Sequence, residues 1–211
     1  RLNDAGMSVQ MAEYVCHAVI GYFREFASYA QDAAAKRVAA SLGTQTSAFT
    51  CDVSNAAQVQ ALVQHCINTF GIPDIVVNNA GTTHKNRPML EVDEATFDKV
   101  FNVNVKSIFH MTHAVLPYLR QKGGGVILNI GSVAGIRPRP GLSWYNASKG
   151  AVNVLSKSMA VELGPENIRV NAVSPGDIHA DPAGNPIGDR NRAVRQQVIP
   201  LDRLGSSSDI A

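Results

Sequence analysis

Several things are scarce in this 211-residue chain. Cysteine is scarce: Cys16, Cys51 and Cys66 follow no disulfide or metal-ligand spacing. A reducing cytoplasm is the expected setting. No apolar run approaches the roughly 18 to 20 residues of a membrane span, and no signal peptide is visible, so no membrane is expected. Charge is nearly balanced at +2, without a basic run, so nucleic acid is not an expected partner. No repeat or low-complexity tract is present, and no phosphate-binding glycine loop precedes Asp32. What remains is ordinary globular composition, 45% hydrophobic and 17% charged. Arg1 and Asp209-Ile210-Ala211 read as cut ends, so a fragment is expected.

Helical and strand patterns alternate from about Asp32 onward. Residues 31–42 read as an Ala-rich helix, and 11–30 as another with Val15, Val19, Tyr22, Phe23 and Phe26 on one face. Ser47 to Val53 reads as a strand ending in Asp52. Residues 55–70 predict a helix capped by Ser54 or Asn55. Ile75-Val76-Val77, Val126 to Ile130 and Ile168 to Val173 read as short apolar strands. Residues 93–121 and 144–163 read as helices. This alternation predicts an α/β fold with a doubly wound parallel sheet. Sites in such sheets lie beyond the carboxyl ends of the strands. Asp52, Asn79, Ser132 and Gly176 all fall there.

The strongest chemical signal is Tyr145-Asn146-Ala147-Ser148-Lys149. On a helix this spacing sets a phenol and an ammonium on one face, one turn apart. A nearby lysine favours the phenolate, which makes tyrosine usable as a proton carrier. Ser132, at the end of the preceding strand, could meet the phenol where a carbonyl oxygen would sit. Asn104 falls on the apolar stripe of the 93–121 helix, where an asparagine must find partners. It reads both as a structural tie and as a polar relay behind Lys149. Asn78-Asn79-Ala80-Gly81 suits a turn, and its small residues also let a ligand approach the backbone. Asp52 reads equally as a helix cap. His110 and His113 lack a metal-binding partner, so no metal is expected. Gly123-Gly124-Gly125 precedes a strand and reads as a loop.

Together, Asn78-Asn79-Ala80-Gly81, Asn104, Ser132, Tyr145-x-x-x-Lys149 and Pro175-Gly176 resemble the short-chain dehydrogenase/reductase family. The likeness is to its 3-oxoacyl-carrier-protein reductase and glucose dehydrogenase type, over residues 32–211. The resemblance implies an NAD(P)-dependent interconversion of a small carbonyl compound and its alcohol. It implies that Tyr145 is the acid/base, that Lys149 tunes it and holds the nicotinamide ribose, and that Ser132 orients the substrate. Asn104 would support a water behind the lysine. Asp52 and Val53 would flank the adenine, and Asn79, Ala80 and Gly81 would line the cofactor. Pro175 and Gly176 would also bind the cofactor, and Ile178 would contact the nicotinamide carboxamide through its backbone. It also implies a homo-oligomer through the 93–121 and 144–163 helices.

The likeness is incomplete. The family's opening strand with its Thr-Gly-x-x-x-Gly-x-Gly turn, its second strand and its closing strand have no counterpart here. Ala180 stands where a threonine is common. The expected fold is therefore an incomplete Rossmann-like sheet, its first β-α-β unit and closing strand missing. With no phosphate cradle, weak or absent dinucleotide binding is expected. Residues 1–31 resemble a helical segment of D-2-hydroxyacid dehydrogenases of the glyoxylate/hydroxypyruvate reductase type, which would make them a segment of different origin. Two further readings follow: a truncated, non-catalytic fusion remnant or oligomerisation module, and a 2-hydroxyacid reductase fragment.

Overall fold

The structure, a computed structural model, describes residues 46–178 together with 199, 201, 203–205 and 209. The helices expected over 11–30 and 31–42 lie outside the described residues. The chain divides into two units, Arg1–Val173 and Ser174–Ala211.

In the first unit, helix α1 spans Ala56–Phe70. Its cap is Asn55, whose Oδ1 accepts the Gln58 N–H at 3.1 Å. Gly71 ends it at φ 87. Strand β1 is Ile75–Asn78. Helix α2, Glu94–Phe101, starts at Asp93, which accepts the Thr96 N–H at 2.7 Å. A π turn over Asn102–Lys106 joins it to helix α3, Ser107–Lys122. Strand β2 is Gly125–Ile130, helix α4 is Ser143–Leu163 and strand β3 is Ile168–Val173.

The fold is α/β and Rossmann-like. The strands form one parallel sheet in the order β1-β2-β3. Register pairs Val76 with Ile127 and Ile127 with Val170, so these side chains share a face. That face is the core: Val76, Ile127 and Val170 pack with Val59 and Val63 of α1, Ile108, Val115 and Leu119 of α3, and Val152 and Leu163 of α4. On the other face Ile75, Val77, Val126 and Leu128 are half-buried, and Arg169 and Asn171 are exposed.

Two expectations are corrected. Residues 47–53, read as a strand, form none. The sheet holds no ladder to them among the described residues, and strand-like composition without a ladder does not make a strand. The helix expected over 93–121 is two helices around the π turn. There Ser107 N–H bonds to the Asn102 carbonyl, five residues back. Gly123 caps α3 at φ 88, so the glycine run is a helix stop and not a phosphate loop. In the second unit, Ile178 bridges Gly205, whose N–H donates to the Asp177 carbonyl at 2.9 Å.

Candidate active site

Asn104 organises the site. Its Oδ1 accepts the Thr82 N–H at 2.7 Å. Its Nδ2 donates to the Thr82 carbonyl at 2.9 Å and to Ser148 Oγ at 2.8 Å. Ser148 Oγ in turn donates to the Tyr145 carbonyl at 2.7 Å. One buried amide thus ties the loop after β1 to the first turn of α4, which carries Tyr145. The π turn helps to aim it. A wider turn brings positions four apart closer to alignment, so Asn104 lies in the same buried row as Val100 and Ile108.

Lys149 is 5% exposed, and its Nζ donates to the Ile130 carbonyl at 2.8 Å. Burial lowers its pKa from 10.5 to about 8, because an ammonium loses solvation there. Gly81 lies against it: a Cβ on Gly81 would stand 3.3 Å from Lys149 Nζ and 3.5 Å from Asn104 Oδ1. Gly81, Asn104 and Lys149 are therefore one cluster. Ser132 follows β2, is buried, and accepts the Ala134 N–H at 3.1 Å. Tyr145 is half-buried in the first turn of α4, one turn before Lys149.

Glycine seats α4 on this cluster. A Cβ on Gly135 would come 2.6 Å from the backbone of Lys149 and Gly150. The turn that begins at Ser132 therefore touches the helix backbone at the lysine, and no larger residue fits.

Sequence reasoning missed Thr82, Ser148 and Gly135. It also missed a second buried network. Asn78 Nδ2 donates to Asn129 Oδ1 at 2.8 Å, and Asn129 Nδ2 donates to Ser156 Oγ at 2.9 Å. Both Asn78 and Asn129 interrupt apolar strands, and that signal was available.

The remaining residues are placed differently. Asn79 and Ala80 follow β1 and lead into Gly81. Asp52 accepts from the Ser54 N–H at 3.0 Å and from Ser54 Oγ at 2.6 Å, so it shapes the entry to α1, while Asn55 is the cap. Val53 is buried beside it. Pro175, Gly176 and Ile178 belong to the second unit. The Cys51 thiol is pushed up to about 11 by burial, then by the Asp52 charge, and so stays protonated. Among the described residues no group of His, Cys, Asp and Glu could hold a metal ion, and no helix is long and apolar enough to cross a membrane. His110 and His113 instead flank Phe109, at ring distances of 5.6 and 4.1 Å.

The chain is similar to known proteins. A family model described as enoyl-(acyl carrier protein) reductase matches residues 5–211. The chain belongs to the short-chain dehydrogenase/reductase family. It is 42% identical over 167 residues to the 4-formylbenzenesulfonate dehydrogenase of Comamonas testosteroni, covering 77% of this chain and 66% of that protein. It is 36% identical over 163 residues to the 3-oxoacyl-[acyl-carrier-protein] reductase of Thermotoga maritima, covering 77% and 65%. The chain thus spans just under two thirds of the length of these family members. Among solved structures, a 3-ketoacyl-(acyl-carrier-protein) reductase from Brucella melitensis, complexed with NADH, superposes with a TM-score of 0.77. That match has 37% identity and covers 85% of this chain and 73% of the other.

Proposed function

We propose that this short-chain dehydrogenase/reductase chain belongs to an NAD(P)-dependent oxidoreductase that interconverts a small carbonyl compound and its alcohol, with Tyr145 as the acid/base. The observation that carries the reading is the buried Lys149, one helical turn from Tyr145 and in one cluster with Gly81 and Asn104.

The residues present fit the nicotinamide-ribose end of such a cofactor. Lys149 spends one hydrogen bond on Ile130 and keeps further N–H donors for ribose hydroxyls. Asn79, Ala80 and Gly81 would line the cofactor, with Gly81 leaving its backbone open beside the lysine. Asp52 and Val53 would face the adenine. When bound, the cofactor supplies or accepts the hydride. The chain's own residues do the rest. Ser132 orients the substrate oxygen by a hydrogen bond. Tyr145 gives that oxygen a proton during reduction and takes one during oxidation. Lys149 stabilises the phenolate, and Asn104 supports a water that returns the proton to solvent. A relative supports this reading, since its name is that of a reductase of 3-oxoacyl groups.

The test is turnover of NADH or NADPH with a panel of aldehydes and ketones. Turnover abolished by Tyr145→Phe supports the assignment. Turnover unchanged by it removes Tyr145 from the mechanism.

A second reading is favoured by one observation. The sequence has no Thr-Gly-x-x-x-Gly-x-Gly turn to hold a pyrophosphate. The chain would then be a non-catalytic remnant or an oligomerisation module, pairing through α2–α3 and α4. Phe109, Val154 and Val161 are large apolar residues exposed on α3 and α4. Micromolar binding of NAD(H) or NADP(H) would sink this reading. A folded chain that binds neither and sediments as a dimer would favour it. A separate origin for residues 1–31, as a segment from a 2-hydroxyacid reductase, rests on the likeness of that stretch alone.

A further inference from the structure

Two segments beside the site carry charge of one sign. Residues 82–90 and 133–142 hold Lys85, Arg87, Arg137 and Arg139, and no Asp or Glu. Lys85 and Arg137 are exposed. Among the described residues neither side chain makes an ion pair. Arg87 is partly committed, its Nη1 donating to the Glu91 carbonyl at 3.4 Å. The proton chemistry above uses none of the four.

The two segments are fastened together. Asn86 Nδ2 donates to the Pro140 carbonyl at 2.9 Å, and the Arg87 N–H donates to the Gly141 carbonyl at 3.1 Å. Gly141 has φ 75, and a Cβ there would lie 2.1 Å from Asn86 Oδ1, so only glycine suits the joint. Each segment is also fastened to the site. The Arg137 N–H donates at 2.7 Å to the carbonyl of Val133, the residue after Ser132. The Arg139 carbonyl accepts at 2.8 Å from Nδ2 of Asn146, the residue after Tyr145. Thr82, at the start of the other segment, is held by Asn104. The arginine stretch is thus tied at one end beside Ser132 and at the other beside Tyr145.

Like charges held together repel, and a surface lined by one sign concentrates ions of the other. Neither segment supplies a carboxylate of its own. We propose that Arg137, with Lys85 on the facing segment, recognises an anionic group of the substrate. The preferred carbonyl compounds and alcohols then carry a carboxylate, sulfonate or phosphate away from the reacting carbon. Arginine suits that role, because its planar fork meets such groups with two parallel hydrogen bonds. This rests on the carbonyl/alcohol reading above.

The test compares 4-carboxybenzaldehyde with 4-formylbenzamide, its neutral counterpart of similar shape. Binding of each to the whole chain is measured by calorimetry with and without NAD+, and turnover of each with NADH and NADPH. The carboxylate should bind about tenfold more tightly at low salt, and raising the salt should shrink that advantage. Arg137→Gln should remove most of it, Lys85→Gln should remove less, and Arg137→Lys should keep part of it. In turnover the same variants should lower the ratio of kcat/KM for the acid over the amide, through KM and not through kcat. Equal affinity of the wild type for both aldehydes, or binding of neither, overturns the proposal. So does an advantage that Arg137→Gln leaves intact. A variant that loses NADPH relative to NADH and keeps the acid-over-amide ratio also overturns it, and assigns the cation to a cofactor phosphate. A charge-dependent affinity with no turnover of either aldehyde leaves this inference standing and sinks the hydride-transfer reading. Turnover of both aldehydes at equal kcat/KM does the reverse.

Discussion

The two helical runs that carry site residues are built differently. Helix α4 runs unbroken from Ser143 to Leu163, whereas α2 and α3 meet at the π turn over Asn102–Lys106. Tyr145 and Lys149 need only regular helical spacing to share a face. Asn104 needs more, because its amide must reach Thr82 and Ser148 while Val100 and Ile108 stay buried in the same row. The local widening serves that aim, as such turns do at functional sites. A regular helix delivers chemistry by spacing, while an interrupted one delivers a tie between segments.

The largest expected effect tests delivery by spacing. If the whole protein turns over carbonyl substrates, Tyr145→Phe should lower kcat by about a thousandfold without shifting thermal unfolding, since general acid/base groups contribute roughly a hundredfold to ten-thousandfold. A loss of stability together with activity would mean that the phenol is structural.

The seating of α4 comes next. Gly135→Ala places a methyl 2.6 Å from the backbone of Lys149 and Gly150. Overpacking of this kind costs about 2 kcal/mol, to be read as a lower urea midpoint. An unchanged midpoint would show that the helix can lift away from the turn.

The tie itself can be broken at Asn104. Asn104→Ala strands the Thr82 N–H and carbonyl and should cost about 2 kcal/mol. Combined with Ser148→Ala, the two losses should fall short of additive by about 1 kcal/mol. Strict additivity would separate the two helices that the amide is argued to join.

The smallest effect is a pH dependence. The folded pKa of Lys149 is depressed, from 10.5 to about 8. Below the folded value both states are charged, and the folded state carries the desolvated ammonium. Above it the folded state sheds its proton while the unfolded chain keeps one. The unfolded state then binds more protons, so stability should rise with pH across that window. Wild type compared with Lys149→Met by denaturant melts over that range isolates the contribution. A difference that is flat or falls with pH would refute the burial of a charged Lys149.

Much of this was legible beforehand. The cap, read as Ser54 or Asn55, the strands read at 75–77, 126–130 and 168–173, and the burial of Asn104 follow from local pattern, whereas the burial of Lys149 was not read from it. What was not legible depends on partners distant in sequence. Ser47 to Val53 has strand-like composition, and among the described residues no ladder lies beside it. Gly135 looks like any turn glycine until Gly150 is seen against it. Asn78 and Asn129 become a pair only once β1 and β2 are in register. The π turn leaves no sequence mark beyond an asparagine in an awkward place.

One feature has a reach beyond the site. Asn104 meets both the N–H and the carbonyl of Thr82, as a neighbouring strand's peptide group would. Its amide acts as a one-residue surrogate strand where β1 has already ended. By hydrogen exchange the Thr82 amide should therefore resemble sheet, although its backbone is a loop, and the floor of the site should open only when the helix that supplies Asn104 moves.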